Sequence, residues 1–138
     1  MLEINFWAII VAAVVAFIVG FLMHGPIAGK LWMRLANIVP TGKEKFSDMV
    51  PNMLWNLLAN IVMAFVLSVM YLFAAHSIYL NAVGVMGGIV CSLWLWFFAF
   101  ANSSIDVIWM GKSRNLWLFE SLSSLLVMVS MGIVIAIW

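Results

Sequence analysis

The chain has 138 residues, of which 67% are hydrophobic and only 8% charged, a composition that excludes an ordinary water-soluble domain of this size. A net charge of +1 leaves no global basic excess for a nucleic-acid partner, and none is expected. The single cysteine, Cys91, excludes an intramolecular disulfide and a cysteine metal cluster.

From the N-terminus, residues 5–23 carry no charge and at ~1.5 Å per helical residue cross most of a ~30 Å hydrocarbon layer. They predict the first span. Glu3 precedes this run and no basic residue does, so a retained span is expected and not a cleaved secretory signal. Ala8, Ala12, Ala16 and Gly20 recur every fourth residue and form one smooth face for close packing of another helix. The run ends at His24-Gly25-Pro26. Proline fixes its own φ and disfavours helix at the preceding residue, so the chain can turn here from crossing the membrane to lying along it. Beyond it, Ile27, Leu31, Leu35 and Ile38 share one helical face and Lys30, Arg34 and Asn37 another, predicting a short interfacial helix over 27–38.

Pro40, Gly42 and the mixed charges Lys43, Glu44 and Lys45 mark a solvated loop. Ser47 or Asp48 is the expected N-cap of a second span over 52–75, with Pro51 in its first turn. Asn56, Asn60, Ala64 and Ser68 share one face of it, and the two amides, needing partners inside a bilayer, are expected to point into the protein. After a short connection from His76 to Asn81, a third span over 83–109 repeats the small-residue pattern at Gly84, Gly88 and Ser92. Trp94 and Trp96 fall near its middle, where an indole N–H needs a partner. Asn102 and Asp106 stack one turn apart near its end. The basic turn 111–115, with Lys112 and Arg114, leads into a fourth span over 116–138 that opens with Glu120, Ser121 and Ser124. The fold class is therefore an all-α integral membrane protein, a single domain of four transmembrane helices plus one interfacial helix.

All six basic residues lie in the first and third connections. The positive-inside rule puts both connections in the cytoplasm and both termini on the non-cytoplasmic side of a cell (inner) membrane. Trp32, Trp55, Trp109 and Trp117 then fall near one interface and Trp7 and Trp138 near the other, as an aromatic belt does.

The polar residues are lopsided in depth. His24, Asn56, Asn60, Asn102, Asp106, Glu120, Ser121 and Ser124 all fall in the cytoplasmic half and are the candidate polar pocket, because ionisable residues inside a membrane point by default to function. The competing reading pairs Asp106 and Glu120 with Lys112, Arg114 or His24 as clamps at the interface. Lys30, Trp32, Arg34, Lys112 and Arg114 are candidates for contact with lipid phosphates, possible only where anionic headgroups face them. No zinc or di-metal spacing, Ser-His-acid order or nucleotide-binding glycine loop is present in the sequence, so no metal, cofactor or enzymatic activity is expected.

The segment His24-Gly25-Pro26-Ile27-Ala28-Gly29-Lys30-Leu31-Trp32 resembles the signature after the first span of the small bacterial membrane family called domain of unknown function 1761. Gly25, Pro26, Gly29, Lys30 and Trp32 match it, and Met23 and His24 stand where the family carries an aromatic pair. The resemblance continues through the glycine-bearing third span, Asn102, Met131-Gly132 and Trp138. It implies a four-span membrane protein and assigns no activity. Residues and resemblance together lead to two functional expectations. One is transport or permeation of a small solute, ion or proton through a cytoplasmic-side pocket, in a homo-oligomer. The other is a structural or lipid-interacting scaffold without transport.

Overall fold

The computed structural model describes residues 3–43, 45–77 and 80–138. Glu44 of the first connection and residues 78–79 of the second lie outside them. The elements are α1 (Phe6–Leu22), a π-helical turn (Met23–Ile27), α2 (Gly29–Leu35), α3 (Phe46–Ala75), α4 (Gly84–Trp109) and α5 (Arg114–Ile137). Among the described residues there is no strand, and four helices are long and apolar enough to cross a membrane: Phe6–Ile27, α3, α4 and α5.

The four long helices form a bundle. α5 packs along α4 and α1, and α3 packs on α1 and α4, so that α1 and α4 occupy opposite corners. The buried centre joins Ala12, Ala13 and Ala16 of α1 to Ala64 and Leu67 of α3, Cys91 of α4 and Met131 of α5. Alanine on α1 is what lets three helices meet there, since a missing side chain is filled by a neighbour's backbone. Of the small residues expected to pack, Ala8, Ala12 and Ala16 are buried, and a Cβ on Gly20 would lie 3.7 Å from Val127 of α5. Gly88 faces Gly132 so closely that a Cβ on either would collide with the other's backbone. Gly84 is different: it is exposed, has φ +62° and meets nothing. It starts α4 in a left-handed conformation and does not extend the packing seam.

Several element boundaries differ from the sequence expectation for identifiable reasons. Asn5 caps α1, its side-chain oxygen accepting from the backbone N–H groups of Trp7 (3.1 Å) and Ala8 (3.2 Å). α3 begins six residues before the expected 52, at Phe46, preceded by Lys45 and not capped by Ser47 or Asp48. Ser47 instead donates to the Asp48 carboxylate at 3.3 Å. Pro51 is accommodated inside the helix because the carbonyl it leaves unpaired, that of Ser47, sits in an exposed first turn. α2 stops at Leu35, short of the expected 38. Asn37 adopts φ 55° there, and the N–H groups of Ile38 and Asn37 return to the carbonyls of Met33 (2.8 Å) and Arg34 (3.3 Å), the bonding pattern of a left-handed helix stop.

Candidate functional site

The site grows from the break after α1. Pro26 has no N–H to continue the α-helical ladder, and the chain passes through the wide turn Met23–Ile27 before Ala28 ends it with φ −130°. α2 then folds back against that turn. Gly29 makes this possible, because a Cβ there would lie 2.7 Å from the carbonyl oxygen of His24. The return brings the Trp32 ring edge-on to His24, with centroids 5.4 Å apart, and Phe119 of α5 meets the same imidazole at 5.6 Å. Nδ1 of His24 donates to the Gly20 carbonyl at 3.0 Å, since a carbonyl can only accept. The imidazole is therefore fixed by one hydrogen bond and two aromatic edges.

A cavity of about 530 Å³ opens beside it, bounded by α1, α3 and α5 with Trp32 of α2. On α3, Asn56 and Asn60 are one turn apart, and the Asn60 amide donates to Asn56 at 3.4 Å. Asn60 is buried while Asn56 is exposed, so the pair runs from interior to mouth. α5 contributes Glu120, Ser123, Ser124 and Val127, the spacing of one helical stripe. Glu120 forms an ion pair with Lys112 of the preceding turn, both side chains partly exposed. Ser124 is occupied locally, its hydroxyl donating to the Ser121 carbonyl at 2.8 Å. Ser123 is 2% exposed and its hydroxyl has no hydrogen-bond partner among the described residues. Leaving such a group unpaired costs about 1–3 kcal/mol, unless something else bonds it.

Five of the eight expected pocket residues border this cavity: His24, Asn56, Asn60, Glu120 and Ser124. Asn102, Asp106 and Ser121 do not. Asn102 and Asp106 belong to α4, the corner opposite α1, and α4 contributes nothing to the lining. Asn102 is exposed. The backbone carbonyl of Asp106 accepts from Met110 (3.0 Å) and Lys112 (3.2 Å) to close the turn, and its carboxylate makes no ion pair among the described residues. Ser121 is rotated toward α4, where its carbonyl takes the Trp96 indole N–H at 2.8 Å. Ser123, not among the expected pocket residues, lies three residues after Glu120 on the stripe that borders the cavity, and that helical spacing is its signal in the sequence. Trp96 has the partner its depth requires, and Trp94 is exposed. Of the interfacial candidates, Lys30, Arg34 and Arg114 are exposed, Trp32 borders the cavity and Lys112 is committed to Glu120.

Below the cavity the bundle is closed. Ala12, Ala13, Ala64, Leu67 and Met131, the next residues along the three helices, are at most 1% exposed. A second cavity of about 370 Å³ lies toward the other end between α3 and α4, bordered by Met70, Asn81, Cys91 and Trp94.

The family model described as protein of unknown function (DUF1761) matches residues 7–136. The chain belongs to this family. The match spans all four long helices and the turn that builds the site, so the cavity lies wholly within the DUF1761 region. No curated protein and no solved structure matches the chain.

Proposed function

We propose that the chain is a multi-pass protein of the cell membrane, with both termini on the non-cytoplasmic side, and that it admits a small molecule from the cytoplasm into the cavity between α1, α3 and α5. The membrane placement is supported by how little the long helices hide: only 22–28% of the most apolar stretch of each is buried within the chain. Trp7 and Trp138 toward one end, and Trp55 and Trp109 toward the other, are 60–82% exposed, as interfacial anchors are.

One observation carries the functional reading: polar side chains of the Met23–Ile27 turn, α3 and α5 converge on one open cavity, and among the described residues none of them bonds across it to another segment's side chain in the lining. The closed layer at Leu67 and Met131 favours capture from one side over an open pore. Transport or permeation follows only if that layer parts. The scaffold reading draws its support from the Lys112–Glu120 pair, which ties the α4–α5 turn to α5 as a clamp does.

The test is cysteine accessibility in a Cys91→Ala background, using a charged, membrane-impermeant methanethiosulfonate reagent. Asn56→Cys and Ser124→Cys are expected to react in inside-out but not right-side-out vesicles. They should react roughly tenfold or more faster than Ser68→Cys, which is buried and reacts only through local opening. If both cavity positions stay unreactive from the cytoplasmic face, the cavity reading fails and the scaffold reading stands.

A further inference from the structure

Resting on the reading that this cavity admits a small molecule, we propose that its occupant is a neutral amphiphile, with a hydroxyl- or carbonyl-bearing head and an apolar body. The inference comes from the charge and hydrogen-bond inventory of the walls. His24 and Glu120 are the ionisable residues of the lining. The Glu120 charge is matched by Lys112, and one His24 nitrogen is already bonded to Gly20. Among the described residues, no lysine or arginine borders the cavity and the one carboxylate is already paired, so a charged occupant would shed its hydration with little compensation.

The walls offer instead neutral groups of both polarities. Ser123 supplies an uncommitted hydroxyl that is 2% exposed. The Asn56–Asn60 pair uses one donor and one acceptor between its two amides, which leaves further donors and acceptors. A hydroxyl or carbonyl head uses both kinds. The rest of the lining is apolar, with Phe17, Phe21, Met49, Met53 and Met63 on the flanks. Phe21 and Met49 are 53% and 51% exposed, so the apolar wall continues outward from the mouth. Methionine suits a chain or ring of variable shape, being unbranched and polarizable. A few placed polar groups in an otherwise apolar concavity is the ordinary make-up of a small-molecule site, and the volume falls in its usual range.

The experiment measures protection of Ser124→Cys, whose native hydroxyl is committed to Ser121, in Cys91→Ala protein reconstituted in nanodiscs, against the same reagent. Three probes are titrated: monoolein, glycerol and potassium phosphate. Monoolein is expected to slow modification by roughly tenfold when present at about ten times its Kd. Glycerol, phosphate and the rate at an exposed Lys43→Cys control are expected to show no change. Ser123→Val should weaken monoolein protection, while Lys30→Gln with Arg34→Gln should leave it intact. Equal protection by glycerol would overturn the requirement for an apolar body, and protection by phosphate would overturn neutrality. Protection that survives in Ser123→Val but is lost in the Lys30/Arg34 variant would move the effect to the lipid surface and overturn the proposal. A reactive Ser124→Cys that no probe protects also overturns it while leaving the cavity reading intact, whereas failure of both Asn56→Cys and Ser124→Cys to react overturns the cavity reading itself.

Discussion

α5 lies against α4 on one side and against α1 and α3 on the other, and the two sides are built to opposite ends. Toward α4, Gly88, Ser92 and Gly132 bring the backbones so close that no Cβ fits on either glycine, and the Ser92 hydroxyl is spent on the Gly88 carbonyl at 2.8 Å. Toward the Pro26 turn, the stripe Glu120, Ser123, Ser124 and Val127 meets α1 and α3 across a cavity, and the Ser123 hydroxyl is left unpaired. Across the two helices of this hairpin, serine thus does two things. In the seam its polarity is consumed locally, and in the wedge it is held in reserve. One helix, α5, carries both the close contact with α4 and the open side toward α1 and α3.

Four substitutions break or sharpen that contrast, each read as stability in a mixed-micelle denaturant titration. Gly132→Leu should have the largest effect, a loss of about 3 kcal/mol, because its side chain must enter the α4 backbone and Ser92; a near-neutral result would mean the helices are not in contact there. Trp96→Phe removes the indole bond to the Ser121 carbonyl but keeps the stack with Phe100, whose ring centroid lies 5.0 Å away. About 1.5 kcal/mol should be lost. Ser123→Ala goes the other way: with the cavity unoccupied, the chain should become more stable by about 1 kcal/mol because a buried hydroxyl that no described protein group bonds disappears. Destabilisation of similar size would show that the hydroxyl has a protein partner. Glu120→Gln should matter least, about 0.5 kcal/mol, as its pair with Lys112 is partly exposed and screened. Added salt should shrink the difference further.

Much of the fold was legible because lipid-length apolar runs and their breaks are strong signals. The two proline-bearing ends behaved differently. At Pro26 the sequence signal for a turn coincides with the structural break, whereas Pro51 lies inside α3, since its lost bond falls where an exposed carbonyl has another outlet. The inward face of α3 was readable from Asn60, Ala64 and Ser68, all of them buried. Which polar residues meet was not readable. Asp106 and Glu120 look equivalent in sequence, one on each side of a basic turn, yet only helix neighbourhood decides that α5 borders the cavity and α4 does not. Ser121 and Ser123 likewise differ only in the rotation of α5 about its axis, which puts the Ser121 carbonyl against Trp96 of α4 and Ser123 at the cavity. Periodicity identifies a face, and tertiary packing chooses its partner.

The central claim is that the wedge between α1, α3 and α5 is an occupied polar cavity and not a packing defect. A crystal structure grown from a lipidic mesophase tests it most directly. The account predicts ordered density, of water or a bound molecule, within hydrogen-bonding distance of Ser123 Oγ and the Asn60 amide. A closed wedge, with α3 collapsed onto α5 and the Ser123 hydroxyl bonded to a protein group, would contradict it.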